Sequence, residues 1–339
     1  MHIPDNYLSP QTCGVMAVAM VPVWIVSIRK VKKDLPAEKI PMLGVSAAFS
    51  FLAMMFNIPL PGGTTGHAVG GTLVAILLGP YAACISVSAA LLLQALLFGD
   101  GGILSFGANC FNMAFVLPFV GYAVATAVSK AVKGKKGKMI GAGVGSYVGI
   151  NAAALCAAIE FGIQPYLFRD ASGNPMYCPY GLDVSIPAMM AGHLTVFGLA
   201  EVVFTVAVFA FVMKAAPSMI ADYGFGQNGS SQNVGSRTSP ALKIFLAALI
   251  CATPLGLLAE GTAWGEWSTE EIAATGVGYT PSGMTNGFSW EALLPDYTVP
   301  GTGGIIGYVL SAVIGVAVFI IVFKLIGLAA GNRRKAAAA

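Results

Sequence analysis

Residues 8–30 read LSPQTCGVMAVAMVPVWIVSIRK, and residues 31–39 follow as VKKDLPAEK. About twenty residues of helix cross the roughly 30 Å hydrocarbon core of a bilayer. A segment in lipid must be helical, because each backbone N–H and C=O needs a partner inside the segment. Residues 8–30 fit that requirement, and their basic residues wait at the far end. The same pattern recurs at 40–57, 66–79, 81–98, 104–130, 139–163 and 184–214, then after a break at 241–260 and 302–328. Of 339 residues, 56% are apolar and only 10% charged, whereas a soluble domain carries about 25% charged residues. The predicted fold is an all-α polytopic membrane protein: a seven-helix core plus two additional transmembrane helices.

Charge placement orients it. With the N-terminus outside, 17 of the 18 Lys and Arg residues fall on cytoplasmic stretches, namely 29–39, 130–138, 214–243 and the C-terminal region from Lys324 on. Only Arg169 falls elsewhere, so the positive-inside rule puts the N-terminus outside and the C-terminus in the cytoplasm. No basic region precedes the first apolar run, so no cleavable signal is expected and Met1 reads as the mature first residue. The Gly/Ser/Asn-rich residues 215–240 read as a flexible cytoplasmic linker. They divide a module at 1–214 from a two-helix module at 241–332. The six cysteines form no C-x-x-C pair and read as buried small hydrophobes.

The three histidines carry more chemistry: His2, His67 and His193. In this topology Met1, His2 and the segment 58–66 lie outside, and His67 sits in the first turn of the third helix on the same side. An amino-terminal X-His offers three nitrogens to one ion. The terminal amine and the His2 amide close a five-membered ring, and that amide and Nδ1 of His2 close a six-membered one. His67 can fill the fourth corner. Four nitrogens in a plane point to Ni(II) or Cu(II), whereas zinc prefers a tetrahedron. A helix N-terminus disfavours imidazolium, which suits a neutral ligand. Gly62, Gly66 and Gly70 recur every fourth residue and permit close approach on one helix face. Asn57, Thr64 and Thr65 are candidates to orient the ligands by hydrogen bonds.

Other polar residues have plainer readings. His193 and Glu201 lie in the seventh helix and read as interhelical hydrogen bonders, ahead of a proton or metal path. The outer loop 260–300 carries Glu260, Glu266, Glu270, Glu271, Glu291 and Asp296 without any Lys or Arg. It reads as a solvated loop, ahead of a cation-gathering surface.

MHIPDNYLSP (1–10), IPLPGGTTGHAVGG (58–71), LLLQALLFGDGGILSFGANCFNMAF (91–115) and GHLTVFGLAE (192–201) resemble the CbiM/NikM family. Its members are substrate-binding components of energy-coupling-factor transporters for nickel or cobalt. The resemblance covers about residues 1–214 and implies that Met1, His2 and His67 bind the metal. The tail 241–332 resembles the two-helix CbiN/NikN or PDGLE-like component, with Pro295-Asp296-Tyr297 where that family has Pro-Asp-Gly.

The implied function is capture of Ni(II), or alternatively Co(II), for ATP-driven uptake through a bacterial cytoplasmic membrane. No nucleotide loop G-x-x-x-x-G-K-[ST] is present. The chain is therefore expected to be no enzyme, and energy would come from two separate ATPase subunits. The resemblance adds a transmembrane coupling component. No catalytic cofactor and no nucleic-acid partner are expected. A membrane metalloenzyme would want H-E-x-x-H and a general base. A proton-coupled carrier would use Glu160 or Glu201 and would work alone.

Overall fold

The computed structural model describes residues 1–215 and 240–338, apart from positions 62 and 276. Nearly all of the linker expected at 215–240 therefore lies outside the described residues. The protein is mostly helical. Among the described residues seven helices are long and apolar enough to cross a membrane. They are α1 (Pro10–Asp34), α4 (Pro80–Phe98), α5 (Phe106–Val132), α6 (Gly134–Leu167), α7 (Leu182–Ala215), α8 (Pro240–Leu258) and α9 (Gly304–Asn332).

Two predicted spans come out shorter. The stretch expected at 40–57 is α2 (Pro41–Met54), a 14-residue helix. The stretch expected at 66–79 is α3 (Gly71–Leu78), of only 8 residues. Ahead of α3 an unforeseen hairpin pairs β1 (Ile58–Leu60) with β2 (Thr64–Gly66), Ile58 opposite Gly66. Gly70 then stands at φ +71, a left-handed conformation that cannot continue a helix and that glycine adopts freely. A helix therefore cannot begin before residue 71. The face proposed for Gly62, Gly66 and Gly70 does not exist, since Gly66 is in β2 and Gly70 caps α3.

The remaining elements follow ordinary local rules. Ser9 caps α1 by accepting from Thr12 N–H at 3.0 Å, and Pro10 occupies the first turn, where its missing N–H costs nothing. Val15, Val18, Val21 and Ile25 of α1 are exposed, as expected of a lipid-facing surface. The inner helices α5 and α6 pack closely, so that a Cβ on Gly141 or Gly145 would lie 2.5 Å from the Ala125 or Gly121 carbonyl oxygen. Small residues there let backbones approach. The C-terminal α9 lies along α2, where Phe51 meets Phe319 edge-on with centroids 5.7 Å apart. All six cysteines are free; Cys13, Cys84, Cys110 and Cys178 are buried, while Cys251 is exposed.

Successive passes gather residues 1–9, the hairpin, the loop 99–105, the loop 168–181 and the loop 259–303 at one end of the bundle. The first basic stretches, 29–39 and 130–138, lie at the other ends of their helices.

Candidate metal-binding site

Residues 1–9 enter the gathered end as an extended plug. Met1, His2 and Ile3 are all buried, Ile3 completely. A buried extended strand must satisfy its backbone groups from outside itself, and here α5 and the loop before it do so. Ile3 N–H donates to Asn109 Oδ1 at 2.8 Å, and Asn109 Nδ2 donates back to the Ile3 carbonyl at 3.0 Å. Gly102 N–H (2.8 Å) and the Ser105 hydroxyl reach the same carbonyl. The Asp5 carboxylate accepts from Ile103 and Leu104 N–H at 3.1 and 2.8 Å. Further along, Ser9 N–H donates to Gln164 at 3.0 Å, and Cys178 N–H to the Tyr7 carbonyl at 3.0 Å.

This frame brings the first two histidines together, with ring centroids 5.0 Å apart and planes inclined at 36°. His67 lies in the extended segment between β2 and α3, not in a first helical turn, so the helix-dipole reason for its neutrality does not hold. Burial replaces it. Desolvation pushes the His67 pKa well below its usual 6.5, and the neighbouring His2 and terminal amine push the same way. Its Nδ1 lies 3.1 Å from the Ala68 carbonyl. When Nδ1 carries the proton, Nε2 keeps a free lone pair.

His2 Nδ1 lies 2.7 Å from Asp100 Oδ1, while its buried Nε2 has no hydrogen-bond partner. Burial alone would raise the Asp100 pKa. The adjacent His2, with His67 and the Tyr297 hydroxyl, outweighs it and holds the carboxyl well below its usual range. The terminal amine lies 3.4 Å from Glu266 Oε1. Among the described residues no group of three His, Cys, Asp or Glu side chains converges as a metal cage. The terminal amine lies near enough to His67 to lower its pKa and offers a further nitrogen beside the two rings.

The other expected residues take different parts. Thr64 Oγ1 accepts from Trp264 N–H at 2.9 Å, and Thr65 Oγ1 donates to the Gly261 carbonyl at 3.4 Å. Both threonines thus bind the loop 259–303 of the C-terminal module rather than orient a histidine. The backbone of Asn57 lies against Gly256 in α8. Glu201 is not an interhelical bonder. Its carboxylate accepts from Val69 N–H at 2.8 Å and Gly70 N–H at 3.1 Å, and so ties α7 to the backbone just after His67. His193 points Nδ1 at the Met189 carbonyl, 2.8 Å away. A cavity of about 20 Å³, lined by Met1, Thr64, His193 and Trp264 among others, separates it from the plug. That is room for roughly one water. Glu160 accepts from Asn112 Nδ2 at 2.8 Å. In the loop 259–303, Glu271 closes a capping box with Ser268.

Asp100, Asn109, Gln94 and Tyr297 went unforeseen. Asn109 and Gln94 did carry a signal, being amides inside apolar runs.

The chain is similar to known transport proteins. The family described as "Cobalt uptake substrate-specific transmembrane region" matches residues 2–219, and the PDGLE domain matches residues 238–332. The chain is 51% identical to the probable fused nickel transport protein LarMN of Lactiplantibacillus plantarum, over 96% of this chain and 97% of that one. It is 46% identical to the fused nickel transport protein NikMN of Rhodobacter capsulatus, over 98% of each. A crystal structure of a truncated transition metal transporter is 55% identical, with a TM-score of 0.60. It covers 63% of this chain and 99% of that one.

Proposed function

This chain belongs to the CbiM family of cobalt-uptake transmembrane proteins, fused to a PDGLE domain, and we propose that it captures Ni(II) for uptake. The proposed ligands are the Met1 amine, the His2 amide and Nδ1, and His67 Nε2. One observation carries the reading: His2 and His67, remote in sequence, meet at 5.0 Å beside a buried terminus. The names of the fused relatives favour nickel, and the family name keeps cobalt as the alternative.

The geometry suggests an order of events. Nδ1 cannot serve Asp100 and a metal at once, so loading turns the His2 ring away from the carboxylate. The amine likewise leaves Glu266. His67 Nε2 then closes the fourth corner without losing a proton. We further propose that the N-terminus faces outside a bacterial cytoplasmic membrane, as the basic stretches favour. On this reading ATP is hydrolysed by two separate subunits, joined through a transmembrane coupling component. The described contacts leave Glu160 and Glu201 as backbone- and amide-bonded groups, and nothing favours a proton-coupled carrier over this reading.

The test is calorimetric titration of the purified, untagged full chain. One Ni(II) per chain should bind, with Ni(II) and Cu(II) held more tightly than Co(II) and Zn(II), as a planar nitrogen set prefers. Tighter Co(II) than Ni(II) moves the assignment to cobalt, and no saturable binding contradicts it.

A further inference from the structure

Asp100 is held from two sides. His2 Nδ1 is on Oδ1, while the Tyr297 hydroxyl donates to Oδ2. Gln94 Nε2 donates to the same Oδ2 at 2.9 Å and to the Tyr297 hydroxyl oxygen at 2.8 Å, closing a triangle between two buried groups and the partly buried carboxylate. The Asp100 backbone N–H also donates to the Gln94 carbonyl at 3.2 Å. Asp100 stands between Gly99 at φ +70 and Gly101 at φ +82.

Tyr297 comes from the other module and is placed at a cost in backbone strain. It stands at φ +59, beside Asp296 at φ +51. For a bulky residue this left-handed conformation is an outlier and persists only where its surroundings enforce it. Glycine would adopt this conformation freely. Here the side chain is used. The ring stacks on Phe98 with centroids 4.7 Å apart and meets Tyr308 edge-on at 5.4 Å, while the Tyr297 carbonyl accepts from the Ser311 hydroxyl at 2.9 Å. Every contact fixes the phenol toward Asp100.

We propose that Tyr297 is a positioning residue for metal loading, holding the Asp100 carboxylate in place when His2 leaves it for the metal. This rests on the metal-capture reading above. In the empty state Asp100 accepts from His2, Tyr297 and Gln94. In the loaded state His2 has gone, and only Tyr297 and Gln94 keep satisfied a carboxylate that is 20% exposed. A largely desolvated acceptor stripped of donors is costly, so the phenol hydroxyl matters more after loading than before. Its removal therefore weakens the loaded state and shows itself as faster release.

The substitution Tyr297→Phe removes one oxygen and keeps the ring packing. In the full chain, titrated with Ni(II) against a competing chelator, Y297F should bind about tenfold more weakly, with faster dissociation and an unchanged Tm of the metal-free protein. In an Asp100→Asn background, which has no carboxylate charge to hold, the same change should cost less than about twofold. Equal Ni(II) affinity and release in Y297F and the unaltered chain overturn the proposal. So does a tenfold loss that persists in D100N, because it means that the ring acts by packing alone. The dissociation rate of Y297F alone decides the matter if D100N does not fold. Failure of the unaltered chain to bind Ni(II) at all overturns the capture reading, and this proposal with it.

Discussion

Met1 and Ile3 are two residues apart, yet different modules hold them in different ways. Ile3 is gripped by the first module through neutral, buried hydrogen bonds, with Asn109 taking both its N–H at 2.8 Å and its C=O at 3.0 Å. The Met1 amine faces the second module across a 3.4 Å ion pair with Glu266, whose side chain is 23% exposed. The peptide is thus fixed where no metal would bind and only loosely engaged where one would. Such an arrangement suits a site that must open its ligands without losing their register. Glu201 extends the fixed part to the other strand, since it ties down Val69 and Gly70 just beyond His67.

The largest effect should come from breaking the fixed grip. Asn109→Ala orphans the Ile3 N–H and takes one of three donors from its carbonyl, which keeps Gly102 N–H and the Ser105 hydroxyl; a buried orphan costs about 1–3 kcal/mol. Nickel affinity in competition titrations should fall by about tenfold or more, at roughly 1.4 kcal/mol per tenfold. An unchanged affinity would put the frame somewhere else. The loose grip should matter far less. A partly exposed ion pair is worth about 0.2–1 kcal/mol, and Glu266 competes with the metal for the amine. Glu266→Gln should therefore tighten Ni(II) binding by no more than about fivefold, and a loss of affinity would make Glu266 a ligand or an anchor instead.

The smallest expected effect is a null one. Burial lowers the folded-state pKa of His67, so the fold favours its neutral form. The stability it supports is present above its unfolded value of about 6.5 and declines as pH falls through that value. At pH 7 it has no proton to give up to a metal. Calorimetry in buffers of different ionisation enthalpy should then find the same proton release at saturating Ni(II) in the unaltered chain and in His67→Ala. Release that drops by one proton in the variant would show that His67 is charged before binding.

The long helices were legible because lipid imposes one answer on a continuous apolar run. The meeting of His2 with His67 was legible because membrane topology sorts loops by side. The start of α3 was not, because an apolar helical pattern from 66 onward carries no sign that Gly70 turns left-handed. Thr64 and Thr65 were misassigned for a related reason. They sit beside His67 in sequence, but hairpin pairing turns their hydroxyls toward Trp264 and Gly261. Asp100 was hidden in a Gly-Asp-Gly-Gly stretch that reads as an ordinary turn, and only closure of the bundle carries it to His2. Tyr297 was hidden by a longer reach, since it comes from the second module and looked like a departure from a glycine signature.

The central claim is that the amino terminus and His67 share one metal ion, and inserting a single glycine between Met1 and His2 tests it most directly. The insert has the form X-X-His, whose amine, two amides and imidazole fill all four corners by themselves. Ni(II) affinity would be measured for four proteins: the unaltered chain, His67→Ala, the insert, and the insert carrying His67→Ala. The account predicts that removing His67 weakens the unaltered chain strongly and the insert hardly at all. Equal losses in both backgrounds would contradict it.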